Sequence, residues 1–222
     1  MKKLRTIIRW VIWTIAGLYI TTIVLLHIPA VQGFLAQKVG DVAGNKLGTE
    51  VHVGRIDLGF INRFVLDDIL IYDQSHKKML SASRVGARVD IWHLLRTGEI
   101  NISSAQLFGL RAELYKTSKD AKPNFQFVLD SLASKDTTSH TPLHLSINSL
   151  VIRHGNIKYD CLDAPTTPNR LNMNHINVSD ISSYLILNKL DDTSVWADLR
   201  ALAFKEASGL EVKQLAFELK AN

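Results

Sequence analysis

The nineteen residues from Trp10 to Ile28 contain no Asp, Glu, Lys or Arg. As a helix rising about 1.5 Å per residue the run is about 28 Å long, close to the ~30 Å hydrocarbon core of a bilayer. A helix satisfies its own backbone hydrogen bonds, so it is the natural form for one segment crossing lipid. Lys2, Lys3, Arg5 and Arg9 precede the run, and basic residues stay on the cytoplasmic side. Trp10 and Trp13 suit interfacial or lipid-facing positions. Residues 1–28 therefore read as a basic cytoplasmic tip and a transmembrane anchor, with the remaining chain on the far side. A cleaved signal peptide has an apolar stretch of only ~7–15 residues and a small-x-small cleavage site. Here the run is longer, and Ile28-Pro29-Ala30 lacks the first small residue.

The chain has 26 basic and 21 acidic residues, and four of the basic ones lie in the first nine positions. The rest is nearly balanced, so the high pI is largely a topology signal and gives no support to nucleic-acid binding, which needs a clustered basic face. Cys161 is the only cysteine, which excludes an intrachain disulfide and any multi-cysteine metal site.

After the anchor, Val31, Phe34, Leu35, Val39, Val42, Ala43 and Leu47 recur at helical spacing. Pro29 suits the first turn and Gly48 the cap, so residues 29–48 read as an amphipathic helix. Gly33, Gly40 and Gly44 each cost it up to ~1 kcal/mol, which burial against a neighbour must offset. Packing over the start of a sheet is preferred to membrane-surface binding, because the stripe lacks a dense basic face.

From Thr49 the period changes to two. Val51 and Val53 alternate with polar neighbours, Ile56 and Leu58 resume after Gly54, and Val85, Ala87, Val89 and Ile91 follow. Ile100 and Ile102, Leu143, Leu145 and Ile147, then Leu185, Leu199 and Leu215 belong to later runs. His154-Gly155-Asn156 and Ala207-Ser208-Gly209 supply turn residues between them. The pattern predicts a mainly β fold, an antiparallel meander with one apolar face. Two β segments, 49–116 and 143–222, flank a polar stretch, 117–142. That stretch encloses a short amphipathic helix (Phe125, Val128, Leu129, Leu132) with Asn124 as its N-cap.

Catalytic signatures are missing: the sequence has no P-loop, no dinucleotide fingerprint, no G-x-S-x-G and no H-E-x-x-H. Pro142 separates His140 from His144, which argues against a shared helical face. Asp67-Asp68 and Asp191-Asp192 read as solvated edge or turn carboxylates, and Cys161 as a small apolar filler. Neither an enzyme activity, a cofactor nor a metal is expected.

With the anchor in front, LGTEVHVGRIDLGFINRFVLDDILIYDQ, KMLSASRVGARVDIWHLL and GEINISSAQLFGLRAELYK follow in order. This strongly resembles the N-terminal region of TamB-type translocation and assembly module proteins, relatives of the AsmA-like envelope proteins. LHLSINSLVIRHGNIKYD resembles their strand-turn-strand unit, and ASGLEVKQLAFELKAN their recurring Ser-Gly-Leu strand pair. The likeness runs along essentially the whole chain and lies in the order of loose apolar patterns. It implies an extended, curved antiparallel sheet, a β-taco or β-groove, anchored in the inner membrane with its bulk in the periplasm. It further implies phospholipid movement between membranes, outer-membrane biogenesis and a BamA-like barrel partner. Such proteins are several times longer and meet the partner through a C-terminal domain. The chain is accordingly expected to be a fragment or a truncated gene product, stopping at Asn222 within strand-like sequence.

An apolar sheet face needs a second layer or a ligand, and two helices after the anchor are too few to supply the layer. Phospholipid acyl chains would fill it, gaining roughly 0.8 kcal/mol per buried methylene. The candidate lining is Val85, Ala87, Val89, Ile91, Ile100, Ile102, Leu143, Leu145 and Ile147, with the choice of face open to inversion by a one-residue slip. The alternative is an assembly factor whose strand edge templates incoming outer-membrane strands.

Overall fold

The structure is a computed structural model that describes residues 2–59, 62–90, 92, 93, 96, 101–133, 146–167, 169–190 and 195–221. Two helices lead: α1 (Lys2–Leu26) and α2 (Pro29–Leu47). The remaining elements are β1 (Val51–Leu58), β2 (Arg63–Tyr72), β3 (Lys78–Val89), β4 (Asn101–Phe108), β5 (Arg111–Lys116), α3 (Gln126–Ala133), β6 (Ser146–Ile147), β7 (Ser149–Cys161), β8 (His175–Leu190), β9 (Val195–Glu206) and β10 (Glu211–Ala221).

α1 begins with Lys2 and Lys3 and carries Arg5, Arg9, Trp10 and Trp13 in its first half. It is long and apolar enough to cross a membrane, and none of that span is buried by the rest of the protein. Two of its threonines bond back into the helix, Thr14 to the Trp10 carbonyl and Thr22 to that of Leu18, both at 2.9 Å. Neither hydroxyl therefore needs water.

Pro29 opens α2, and Gly48, in the left-handed region at φ 68°, caps it. The face that α2 lays on β1 differs from the expected stripe. Ala36 and Gly40 are its buried residues, while Phe34 is 58% and Val42 68% exposed. Small size decides this. A Cβ on Gly40 would stand 2.7 Å from the Val51 carbonyl oxygen, and one on Gly44 2.7 Å from that of Thr49. The glycines let the helix backbone settle onto β1, where Ala36 packs with Val53 and Ile56 and is joined by Leu35, Val51 and Leu66.

The strands form one sheet in the order β1-β2-β3-β4-β7-β8-β9-β10. β1 to β4 and β7 to β10 are antiparallel neighbours. The expected all-antiparallel meander fails between them, because β7 runs parallel to both β4 and β5. Residues 117–148 cause this. Parallel neighbours need a crossover of a dozen or more residues, and this long connection, with α3 inside it, returns the chain to the start of β4. Both β segments thereby join a single mixed sheet. β4 and β5 are one line of pairing broken at Gly109, since Arg84↔Phe108 and Leu80↔Ala112 share a register along β3.

A seam of left-handed residues crosses the strands. Asp68, Gly109, His154 and Asp180 have φ of 55°, 62°, 54° and 54°. Arg55, Asp67, Arg84, Phe108 and Arg153 are cross-strand partners immediately beside it. Asp and His tolerate this conformation better than most side chains. Gly54 stands opposite Asp68, whose Cβ would lie 3.0 Å from a Cβ added there. Consequently His154-Gly155-Asn156 is not a turn between strands, as its composition suggests, but a distortion within β7, which β8 pairs on both sides. Ala207-Ser208-Gly209 does form the β9–β10 turn, with Gly209 at φ 99°.

Candidate functional site

Directly paired residues of neighbouring strands share a face, so the register sorts the side chains into rows. One row runs Ile56, Leu66, Val85, Leu107, Ile152, Ser183, Leu202, Leu215. The next runs Phe64, Ala87, Ala105, Leu150, Leu185, Leu199, Phe217. Val89 pairs Ile102, whose parallel neighbour is Ile147, and Leu187, Ala197 and Leu219 form a further short row. Ser183 is the one polar side chain among them. α2 covers this face at its β1–β2 end, through Val53, Ile56 and Leu66. Farther along, Leu150, Ile152, Leu185 and Leu199 are only half-buried and Leu215, Phe217 and Leu219 are exposed. Phe217 reaches 51% exposure.

The opposite face is mixed and charged. Arg55, Asp67 and Arg84 form one row, with Nη2 of Arg55 2.6 Å and Nε of Arg84 2.7 Å from Asp67. Asp67 is therefore not a solvated edge carboxylate but 7% exposed, and the Arg84 hydrogen bond, with that from Arg55, holds its pKa below the usual range against burial. Asp68, its sequence neighbour, is exposed at the seam. At the β10 end, the Trp196 indole donates to Glu218 at 2.6 Å and Lys220 Nζ lies 4.6 Å over the Trp196 ring.

Two polar clusters are structural. Asp73 is 2% exposed and accepts from Ser75 N (2.8 Å), Lys77 N (2.9 Å) and the Tyr115 hydroxyl (2.9 Å). Burial alone would raise its pKa; the converging donors, Lys77 N and Tyr115 foremost, hold it below the ordinary value. Asn124 does not cap α3. It bridges to β5, accepting from Tyr115 N at 3.0 Å and donating to the Glu113 carbonyl at 3.1 Å. The second cluster is His175, whose Nδ1 faces Asp160 at 3.1 Å and whose Nε2 faces the Ala164 carbonyl at 2.9 Å. Two acceptors require two N–H donors, so the Ala164 bond, followed by Asp160, raises the imidazole pKa. Cys161 is fully buried, with Sγ donating to Asp163 at 3.0 Å. Among the described residues no group of three His, Cys, Asp or Glu could hold a metal ion.

Of the candidate lining, Val85, Ala87, Val89 and Ile102 lie in adjacent rows of one face, and the backbone register sets Ile147 beside Ile102. Val89 is buried; Val85, Ala87 and Ile102 are half-buried. Ile91, Ile100, Leu143 and Leu145, like His140, His144, Asp191 and Asp192, lie outside the described residues. Ala105, Leu107, Leu150, Ile152, Leu185, Leu199 and Phe217 share the face without having been selected from sequence. Leu150-Val151-Ile152 is apolar at three successive positions, so alternation there names no face, and only the pairing with β4 does. No protein-family model matches the chain, and no curated protein matches it.

Proposed function

We propose that this chain is a non-enzymatic, membrane-anchored envelope protein whose open apolar sheet face carries phospholipid acyl chains between the inner and outer membranes. The observation behind this reading is the pair of apolar rows crossing seven and eight strands, which, among the described residues, α2 covers at the β1–β2 end. A contiguous apolar area of that extent is unusual on a monomer in water. Acyl chains gain nearly as much in a bilayer as on such a face, so lipid would pass along without being trapped. The resemblance to TamB-type proteins points the same way. In this reading Lys2, Lys3, Arg5 and Arg9 keep the N-terminus in the cytoplasm and the sheet is periplasmic. Contact with a BamA-like barrel rests on the resemblance alone.

Photocrosslinking residues placed singly at Phe217 and at Arg88 test the one-sidedness, since the two positions lie on opposite faces. Lipid adducts are expected at Phe217 and not at Arg88; equal labelling would defeat the reading. A second reading, templating of outer-membrane strands, draws on β10, which pairs only β9 among the described strands. An unpaired edge accepts an extended peptide. Co-purification of unfolded barrel protein in place of acyl lipid would favour it.

A further inference from the structure

We propose that α2 is a membrane-surface helix as well as a packing helix: its outer face docks on the same bilayer that α1 crosses. This stands apart from acyl-chain transport and requires only that α1 span. Ala36, Gly40 and Gly44, at i, i+4 and i+8, define the face on β1. Nearly opposite on the helical wheel, Val31, Phe34, Lys38, Val42 and Lys46 follow at spacings of three and four. Phe34, Lys38, Val42 and Lys46 are exposed and Val31 is half-buried. Lys38 Nζ lies 5.8 Å over the Phe34 ring. Such a pattern suits an interface: aromatic and aliphatic groups enter the headgroup boundary, and lysine stems lie along them with their charges in water. Asp41 borders the stripe at its wet margin, and Asn45 is a polar position within it, near the C-terminal end of the helix.

The occupant follows from position. Only His27 and Ile28 separate α1 from α2, and two extended residues reach no more than about 7 Å. Ile28 is extended (φ −72°, ψ 124°), so the chain breaks between the helices and does not continue as one rod. The first turns of α2 are therefore held at the level where α1 leaves the hydrocarbon. A protein partner would have to find the stripe by diffusion; the lipid surface is already beside it.

Single nitroxide labels at Ile15→Cys, Gln37→Cys and Val42→Cys, in the full chain reconstituted into phosphatidylethanolamine–phosphatidylglycerol vesicles, test this. Cys161 stays in place because it is fully buried, and the chain without an added cysteine gives the background. The Val42 label is expected to collide more with oxygen than with a water-soluble nickel chelate, and the Gln37 label the reverse. The Ile15 label should show the strongest oxygen preference. Nickel preference at Val42 matching that at Gln37 would overturn the proposal. So would a Val42 label shielded from both reagents, the signature of a second copy or another protein on the stripe. Absence of oxygen preference at Ile15 would overturn it differently, by removing the bilayer on which it depends.

Discussion

Asp73 concentrates more of the fold in one side chain than any other polar group described. It joins the β2–β3 turn, through Ser75 and Lys77, to β5, through Tyr115. Asp73→Ala would strand those donors and is expected to destabilise by about 3 kcal/mol, whereas Tyr115→Phe should lose about 1.5 kcal/mol. Thermal melts of the full chain in detergent would order the two; equal melting temperatures for wild type and Asp73→Ala would refute the account. The pH response has two limbs of opposite sign. Asp73 has a folded pKa below its ordinary 3.8, so its contribution is complete above that value and is lost as pH falls through the folded one. His175 is raised above 6.5, so its contribution is complete below 6.5 and is lost as pH rises through its folded value. His175→Gln should therefore flatten the decline in melting temperature above pH 6.5 and leave the Asp73 share of the acid limb unchanged, while weakening the share of Asp160, whose low pKa His175 helps to hold.

At the scale of elements, α2 gives the clearest contrast. Replacing glycine by alanine inside a helix ordinarily gains up to about 1 kcal/mol. Gly33 has nothing within 4 Å of an added Cβ, so Gly33→Ala is expected to raise the melting temperature. Gly40→Ala should lower it, because the new methyl meets the Val51 carbonyl at 2.7 Å and must push the helix off β1. Much of the element structure was legible in sequence. Pro29 and Gly48 mark the ends of α2 through local backbone rules, and alternation locates the strands. What stayed hidden depended on partners distant in the chain. The wheel of α2 cannot say that its small residues, and not its large ones, face the sheet. Nor can the sequence of β7 say that it lies parallel to β4, or that His154 distorts a strand where a reversal was expected. The apolar face itself was foreseen, with Val85 and Ala87 assigned together by simple alternation. Its extent across β7 to β10 required the register.

For the molecule as a whole, the charge at the N-terminus is the test of orientation. If Lys2, Lys3, Arg5 and Arg9 set it, a reporter fused after Gly48 should lie outside the cytoplasm, and neutralising all four should scramble that result. Cytoplasmic signal from the native fusion would reverse the proposed topology. The seam has a consequence at this same scale. It behaves as a line defect in a two-dimensional lattice, a phase slip of the pleat. Same-face positions fall three apart instead of two where it crosses, as at Val53/Ile56, Leu66/Ile69 and Ala82/Val85. Such a line cannot stop inside one strand without breaking the match to the next, and here it runs out between β8 and β9. There two residues, Asp180 and Ile181, oppose the single Phe204. A one-residue deletion beside Asp68 would thus be felt less in β2 than in its neighbours, which would keep a slip that no longer has a counterpart. The strands are in this sense locked to one another by a shared irregularity as much as by their hydrogen bonds.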